Sequence, residues 1–296
     1  MGDKPALHPG EPVAAALIAI AHDILSQAEA ALTDMDGGKA LAVHDYRKAM
    51  KRWRAFLRLI EPFLPPEDRL LRNKARDLAR QLTGTRDIQA VLDALTDLEK
   101  SELDLSKTPL ARMRDRVEQA KQAAETTTLT SELRGELQAA LASAAQAVEA
   151  WALEHISFRD IAGAVAHNYG RARRAIPAAW PQATAEELHE LRKRVVEHRY
   201  QMELVEPLWQ RLGKLWVAEA QRLRERLGSH QDLVLLSRLT APHQLLAHWR
   251  SRIGPLIDQR KAAHVAAAQR FAQHLFAERP KAFRQRIEAL WKVHSG

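Results

Sequence analysis

The chain predicts an all-α fold, and three observations carry that expectation. Apolar residues recur at spacings of three and four through nearly every segment, which places them on one stripe of a helix. Alanine, leucine, arginine, glutamate and glutamine are plentiful, and all but the first have unbranched or γ-branched side chains that lose little freedom in a helix; alanine has none to lose. The breaks fall at glycine and proline, and no stretch alternates as a strand would. With 296 residues and 46% hydrophobic content, the chain can bury a sizeable core. Its net charge of +8 points to a polyanionic partner: nucleic acid, an acidic membrane surface or a phosphate polymer. It contains no cysteine, which excludes disulfides, a thiolate nucleophile and Cys-ligated zinc.

The first twelve residues carry acids and prolines where a signal peptide would carry basic residues. The apolar run Val13–Ala21 stops at His22-Asp23, too short to span a bilayer. A soluble, cytoplasmic protein is therefore expected. Pro12 to Leu32 reads as the first helix, with Val13, Leu17, Ile20, Ile24 and Ala28 along its stripe, and Gly37-Gly38 breaks it. Val43 to Ile60 is the second, stopped by Glu61-Pro62; Pro65-Pro66 make a turn. A third helix covers Glu67 to Leu82. Gly84 marks a break, and Asp87 is placed to cap a helix from Ile88 to Leu98.

Ser101 to Pro109 reads as a polar linker. Leu110–Ala124 and Leu129–Glu154 are helical, jointed at Thr126-Thr127-Thr128. Phe158–Ile176 ends at Pro177, and Leu188–Glu206 at Pro207. Leu215–Leu227 is expected to break at Gly228, before an element from His230 to Leu239. Pro242 opens a helical region to Glu278 with an interruption at Gly254-Pro255, and Lys281–Val293 closes the chain.

The second helix carries the chemistry. Val43, Tyr46, Ala49, Met50, Trp53, Phe56, Leu57 and Ile60 fall on one face; His44, Arg47, Lys48, Lys51, Arg52, Arg54 and Arg58 take the other. Four i,i+4 pairs join basic residues on that face, an arrangement that repels itself unless an anion sits on it. Arg72, Arg76 and Arg80 on the third helix either extend this patch or form a solvated face.

The pattern occurs twice. Shifting the chain by 145 positions carries His44 onto His189, Arg47 onto Arg192, Lys48 onto Lys193, Arg54 onto Arg199, Glu61-Pro62 onto Glu206-Pro207 and Asp87 onto Asp232. The chain thus reads as two related helical halves, 12–155 and 157–296, whose pairing about a pseudo-twofold axis would bring the basic helices together. Lys51 becomes Val196 and Arg52 becomes Glu197 under the shift, so the first half should supply most of the positive field.

The paired segments VHDYRKAMKRWR (43–54) and LHELRKRVVEHR (188–199), with LTGTRD (82–87) and LGSHQD (227–232), resemble the conserved histidine α-helical domain, or CHAD, family. The resemblance covers nearly the whole chain. It implies two helical bundles related by pseudo-symmetry around a basic central surface or pore. It also implies binding of inorganic polyphosphate with no catalysis by the domain itself. The positions matching the motif are His44, Arg47, Lys48, Lys51, Arg52 and Arg54, and His189, Arg192, Lys193 and Arg199; Val196 and Glu197 depart from its basic pattern. Association with polyphosphate granules would follow from such a ligand. Some relatives carry a triphosphate-hydrolysing domain on the same chain, and no length remains here for one.

Arginine grips anionic oxygens with two parallel N–H donors, and lysine supplies a mobile point charge. A stripe of both favours a repeating phosphate chain over a base sequence. His44 and His189 are either phosphate donors or buried packing residues. No His/Glu spacing for a metal is present, and no strand–turn–helix elbow supports a nucleophile, so neither metal nor cofactor is expected. Nucleic acid is the competing ligand, though Tyr46, Trp53 and Phe56 lie on the apolar face, away from the charge; Tyr200 lies on the second basic face. A scaffold for acidic proteins, a third reading, would show weaker charge clustering.

Overall fold

A computed structural model describes residues 5–34, 38–82, 84–101, 107–125 and 129–295. Among these residues there is no strand, and the helices are α1 (Val13–Thr33), α2 (Gly38–Ile60), α3 (Leu71–Gln81), α4 (Gly84–Glu99), α5 (Lys107–Glu125), α6 (Ser131–Glu149), α7 (Phe158–Arg174), α8 (Ala185–Val205), α9 (Gln210–Leu239), α10 (Arg250–Leu275) and α11 (Pro280–Ser295). The predicted all-α class is borne out.

Local chemistry sets most of the ends. α2 and α8 stop one residue before Glu61-Pro62 and Glu206-Pro207, which open 3₁₀ turns; the proline ring crowds the preceding residue and offers no N–H. The Ser157 N–H donates to Asp160 Oδ2 (3.0 Å) at the start of α7, and the Thr184 N–H to Glu187 Oε2 (2.8 Å) at the start of α8. These first-turn carboxylates satisfy backbone donors that have no partner within the helix. Gly38 begins α2 with φ +80°, a backbone conformation that suits glycine.

Four expectations need correction. α9 runs unbroken through Gly228. That glycine is needed for close approach: a Cβ there would lie 3.1 Å from Arg192 Nη2. α10 is likewise continuous through Pro255. Buried Ile253 and Ile257 on either side hold the helix to the core while one backbone bond is forgone. α4 begins at Gly84, so Asp87 sits inside the first turn rather than at the cap, where its charge still favours the helix N-terminus. α5 begins at Lys107, which takes residues 107–109 out of the expected linker. The joint at Thr126–Thr128, and Gly37, lie outside the described residues.

The apolar residues form two cores. The larger draws Leu17, Ile20 and Ile24 from α1, Tyr46, Trp53 and Phe56 from α2, Leu137 and Leu141 from α6, Tyr169 from α7, Leu191 and Val195 from α8, and Phe283 and Ile287 from α11. The smaller joins Val91, Leu95 and Leu98 of α4 and Met113 and Val117 of α5 to Leu233 and Leu236 of α9 and Ile253 and Ile257 of α10. Each core thus contains residues from both sides of position 156. α1 spans 21 residues and is long and apolar enough to cross a membrane, further than the run ending at Ala21 suggested. Its stripe Leu17, Ile20, Ile24, Ala28 and Leu32 is packed in the larger core.

Shifted by 145 positions, α1 lands on α7, α2 on α8 and α6 on α11, while α3 and α4 both land on the single helix α9. α2 and α8 pack directly on one another. At their contact, buried Gln201 Nε2 donates to the Ala55 carbonyl (3.0 Å). Tyr46, Met50, Trp53, Phe56, Leu57 and Ile60 are each 2% exposed or less, and burying each contributes roughly 1.5–3 kcal/mol. That anchors α2 firmly and fixes which way its charged face points.

Candidate functional site

With its apolar face held, α2 presents Arg47, Lys51, Arg54 and Arg58 in a row. Their spacings of four, three and four stay on one side of a helix that turns 100° per residue. The N-terminal part of the row faces a cleft of about 630 Å³. α2 supplies His44, Arg47, Lys48 and Lys51 to it, α8 supplies Arg192, Arg199 and Tyr200, and α9 supplies Arg224. Lys121 of α5 reaches it as well, and Asp93 and Asp232 are its acids.

Several of these side chains are pre-positioned. Arg47 Nη1 donates to the Leu82 carbonyl at the end of α3 (2.7 Å). Arg199 lies over the Tyr200 ring, 4.1 Å from its centroid, and Nη1 donates to Glu203 (2.5 Å). Its Nε is buried without an acceptor. The Arg192 guanidinium passes over Gly228, whose missing side chain leaves it room.

The C-terminal part of the row enters a second cluster. Arg54 and Arg58 meet Arg72 of α3, Arg171 of α7 and Arg194 of α8 around Glu61 and Glu197. Burial, then the guanidinium groups of Arg72, Arg76 and Arg80, pushes Arg54 below the usual arginine value, while Glu197 pulls the other way. Arg72 and Arg171 are lowered for the same reasons, burial first. The low-dielectric surroundings and the like charges both penalise the protonated form, and an anion bound here would relieve that penalty.

Of the residues singled out in the sequence, His44, Arg47, Lys48, Lys51, Arg192 and Arg199 come together in the cleft, and Arg54, Arg58 and Arg72 in the adjoining cluster. Arg76 and Arg80 are exposed and share Asp77, at 3.0 and 3.6 Å. Lys193 does not line the cleft; it pairs with Glu190 on its own helix. Arg52 is a correction. It sits about 140° around α2 from Arg47, turned into the α1 interface, only 8% exposed, with Nη1 on Gln27 (2.5 Å) and Nη2 on Asp23 (3.3 Å). It is a packing residue.

His44 and His189 are both exposed, which removes the buried-packing alternative for each; His44 lines the cleft and His189 does not. Among the described residues, the buried histidines are His198, His230 and His264. His198 Nε2 accepts from Trp216 Nε1 (2.9 Å), and burial holds its pKa down to about 3.

Sequence reading missed Lys121, Arg171, Arg194 and Arg224. The 145-residue shift pairs them with Ala266, Ser26, Ala49 and Ala79, so the repeat carries no signal for them. The second half brings Arg171, Arg192, Arg194, Arg199 and Arg224, beside Arg47, Lys48, Lys51, Arg54, Arg58, Arg72 and Lys121 from the first. Among the described residues, no group of three or more His, Asp or Glu is arranged to hold a metal.

A family model for the CHAD domain matches residues 15–241. The fold is similar to the crystal structure of the CHAD domain from the plant Ricinus communis, with a TM-score of 0.58 at 19% identity, over 97% of this chain and 95% of that one. It is similar also to PptA from Streptomyces chartreusis, with a TM-score of 0.61 at 16% identity, over 90% of this chain and 100% of that one. At such identities the likeness is one of fold. No protein with curated function matches the chain.

Proposed function

Because the chain belongs to the CHAD domain family, we propose that it binds inorganic polyphosphate along the α2 row and the facing side chains of α8, without catalysing a reaction. The observation that carries this reading is the cleft itself. Four basic side chains of α2 and two of α8 line one concavity, with Lys121 and Arg224 closing it. The constant 145-residue offset supports reading the two helices as duplicated copies that face a shared ligand. A chain of phosphates offers an acceptor oxygen to each donor in turn, and well-made charge-assisted contacts contribute roughly 1.5–3 kcal/mol each. A cytoplasmic location, at polyphosphate granules, is the setting that such a ligand proposes.

Single-stranded nucleic acid needs an open aromatic face for base stacking. Tyr200 is 8% exposed and its ring lies under the Arg199 guanidinium, which disfavours that ligand. Titrating long-chain polyphosphate and single-stranded DNA of matched charge, in the same salt, should show polyphosphate bound at least roughly tenfold tighter, about 1.4 kcal/mol. Equal affinity, or tighter DNA, rejects the proposal. Tripolyphosphate with magnesium or manganese should release no phosphate, and turnover would overturn the non-catalytic reading.

Gly228 separates binding from stability. In Gly228→Ala the helix gains about 0.5–1 kcal/mol of intrinsic preference, but the added Cβ meets Arg192 Nη2 at 3.1 Å. The guanidinium must give way by a few tenths of an ångström. The melting temperature should hold or rise while polyphosphate affinity falls by up to about twofold. A rise in affinity would show that the Arg192 guanidinium over α9 is not in its binding position.

A further inference from the structure

The arginine cluster beside the cleft contains anions of its own. Glu61 Oε2 accepts from Arg58 Nη1 (2.7 Å), and its other oxygen lies 3.5 Å from Arg72 Nη2. Glu197, only 18% exposed, accepts from Arg194 Nη1 (3.1 Å). Arg194 also pairs with Glu190 at the rim, at 2.5 Å. Against these carboxylates stand Arg54, Arg58, Arg72, Arg171 and Arg194. Two of the five still have unmet donors, because Arg58 Nε and Arg72 Nε are buried with no acceptor. Such groups cost free energy until something accepts from them. The cluster is therefore partly neutralised from within and partly unsatisfied.

Position 197 is where the sequence departs from the basic pattern of the second motif. The shift carries it onto Arg52, which faces α1 and not the cleft. Glu197 is thus an anion added among the arginines rather than a lost ligand contact. Its negative charge favours the protonated forms of Arg54, Arg72 and Arg171 alike.

We propose that Glu197 is an internal counter-ion lying in the anion path, whose carboxylate a bound phosphate chain must displace to reach Arg54, Arg72 and Arg171. The inference rests on the polyphosphate reading and assigns Glu197 the role of selecting the ligand. Short phosphates are held in the cleft by Arg47, Lys51 and Arg192 and leave Glu197 in place. A long chain continues along the row to Arg58, about 10 Å beyond Lys51 along α2, and brings enough local negative charge to replace the carboxylate. The residue therefore lowers affinity for every long chain and discriminates against ligands of low charge density.

The test compares wild type with Glu197→Gln, which keeps the side chain's shape, and with Glu136→Gln on the exposed face of α6 as a control of equal charge change. Long-chain polyphosphate should bind Glu197→Gln roughly tenfold tighter than it binds the control, with a steeper salt dependence, while tripolyphosphate binds all three alike. Without ligand, Glu197→Gln should melt below the control, because the arginines lose their counter-ion, and long-chain polyphosphate should restore it. Glu197→Gln behaving as the control does, or binding the long chain more weakly, would overturn this inference and leave the polyphosphate reading intact. Wild type failing to bind long-chain polyphosphate in the same titration would overturn both.

Discussion

Replacing Arg47 and Lys51 together by glutamate will lower polyphosphate affinity by at least about a hundredfold at moderate salt. Both side chains line the cleft from adjacent turns of α2. Losing two charge-assisted contacts removes roughly 3–6 kcal/mol, and the new carboxylates add repulsion. Fewer neutralised phosphates also mean fewer released counterions, so log affinity should fall less steeply with log salt than in wild type. The fold should survive. The apolar face of α2 is untouched, and the charge-assisted hydrogen bond from Arg47 to the Leu82 carbonyl contributes roughly 1.5–3 kcal/mol, so the variant keeps its helicity and melts somewhat lower. Arg52→Gln supplies the contrast. It disrupts the pairing with Asp23 at the α1 interface, so it should lower the melting temperature and leave affinity near wild type. Circular dichroism with a binding titration measures both. Retained affinity in the double variant would place the ligand away from this cleft.

That contrast shows what the sequence made legible. Periodicity located the dry face of α2, because 100° per residue is a local property and the apolar positions Tyr46, Met50, Trp53 and Phe56 are all buried. It did not distinguish directions within the wet face. Arg52 looked like its neighbours, and its partner Asp23 lies on another helix. The stops at Pro62 and Pro207 were legible because proline acts on its own backbone. Gly228 was misread because its reason is the Arg192 side chain from α8, not the turn it sits in. The 145-residue shift located the second motif but hid Lys121, Arg171, Arg194 and Arg224, which have no basic counterpart. Burial of His198, His230 and His264, against exposure of His44 and His189, depends on which helices meet.

Asp97→Ala will cost about 3 kcal/mol and lower the melting temperature by roughly 6–12 °C. Asp97 of α4 accepts from Arg260 of α10, from Nε at Oδ2 (2.9 Å) and from Nη2 at Oδ1 (2.6 Å), and His264 Nε2 lies 2.7 Å from the same Oδ2. An ionised carboxylate only accepts, so His264 donates there. The histidine side chain is 2% exposed and the arginine 24%, so removing the carboxylate leaves one buried and one partly buried donor without their acceptor beside the smaller core. Asp97→Asn tests the charge alone through pH. Burial by itself would raise the Asp97 pKa, but the hydrogen bonds from Arg260 and His264 outweigh it and hold the carboxyl well below the usual range. The resulting stability is fully present above about pH 4, the unfolded value, and is lost as pH falls toward the depressed folded value. His198 and His230 act at higher pH. Burial first, and for His230 also the charges of Lys261 and His264, lowers them to about 3 and about 4. The unfolded chain then takes up protons that the folded chain refuses, so stability declines as pH drops from about 6.5. Melting curves from pH 7 to 3 should therefore show, in wild type, a loss that begins near pH 6.5 and steepens below about pH 4. Asp97→Asn should start lower, keep the loss set by the histidines and lack the added steepening below pH 4. An unchanged slope below pH 4 would mean that the junction of α4 and α10 does not depend on this carboxylate.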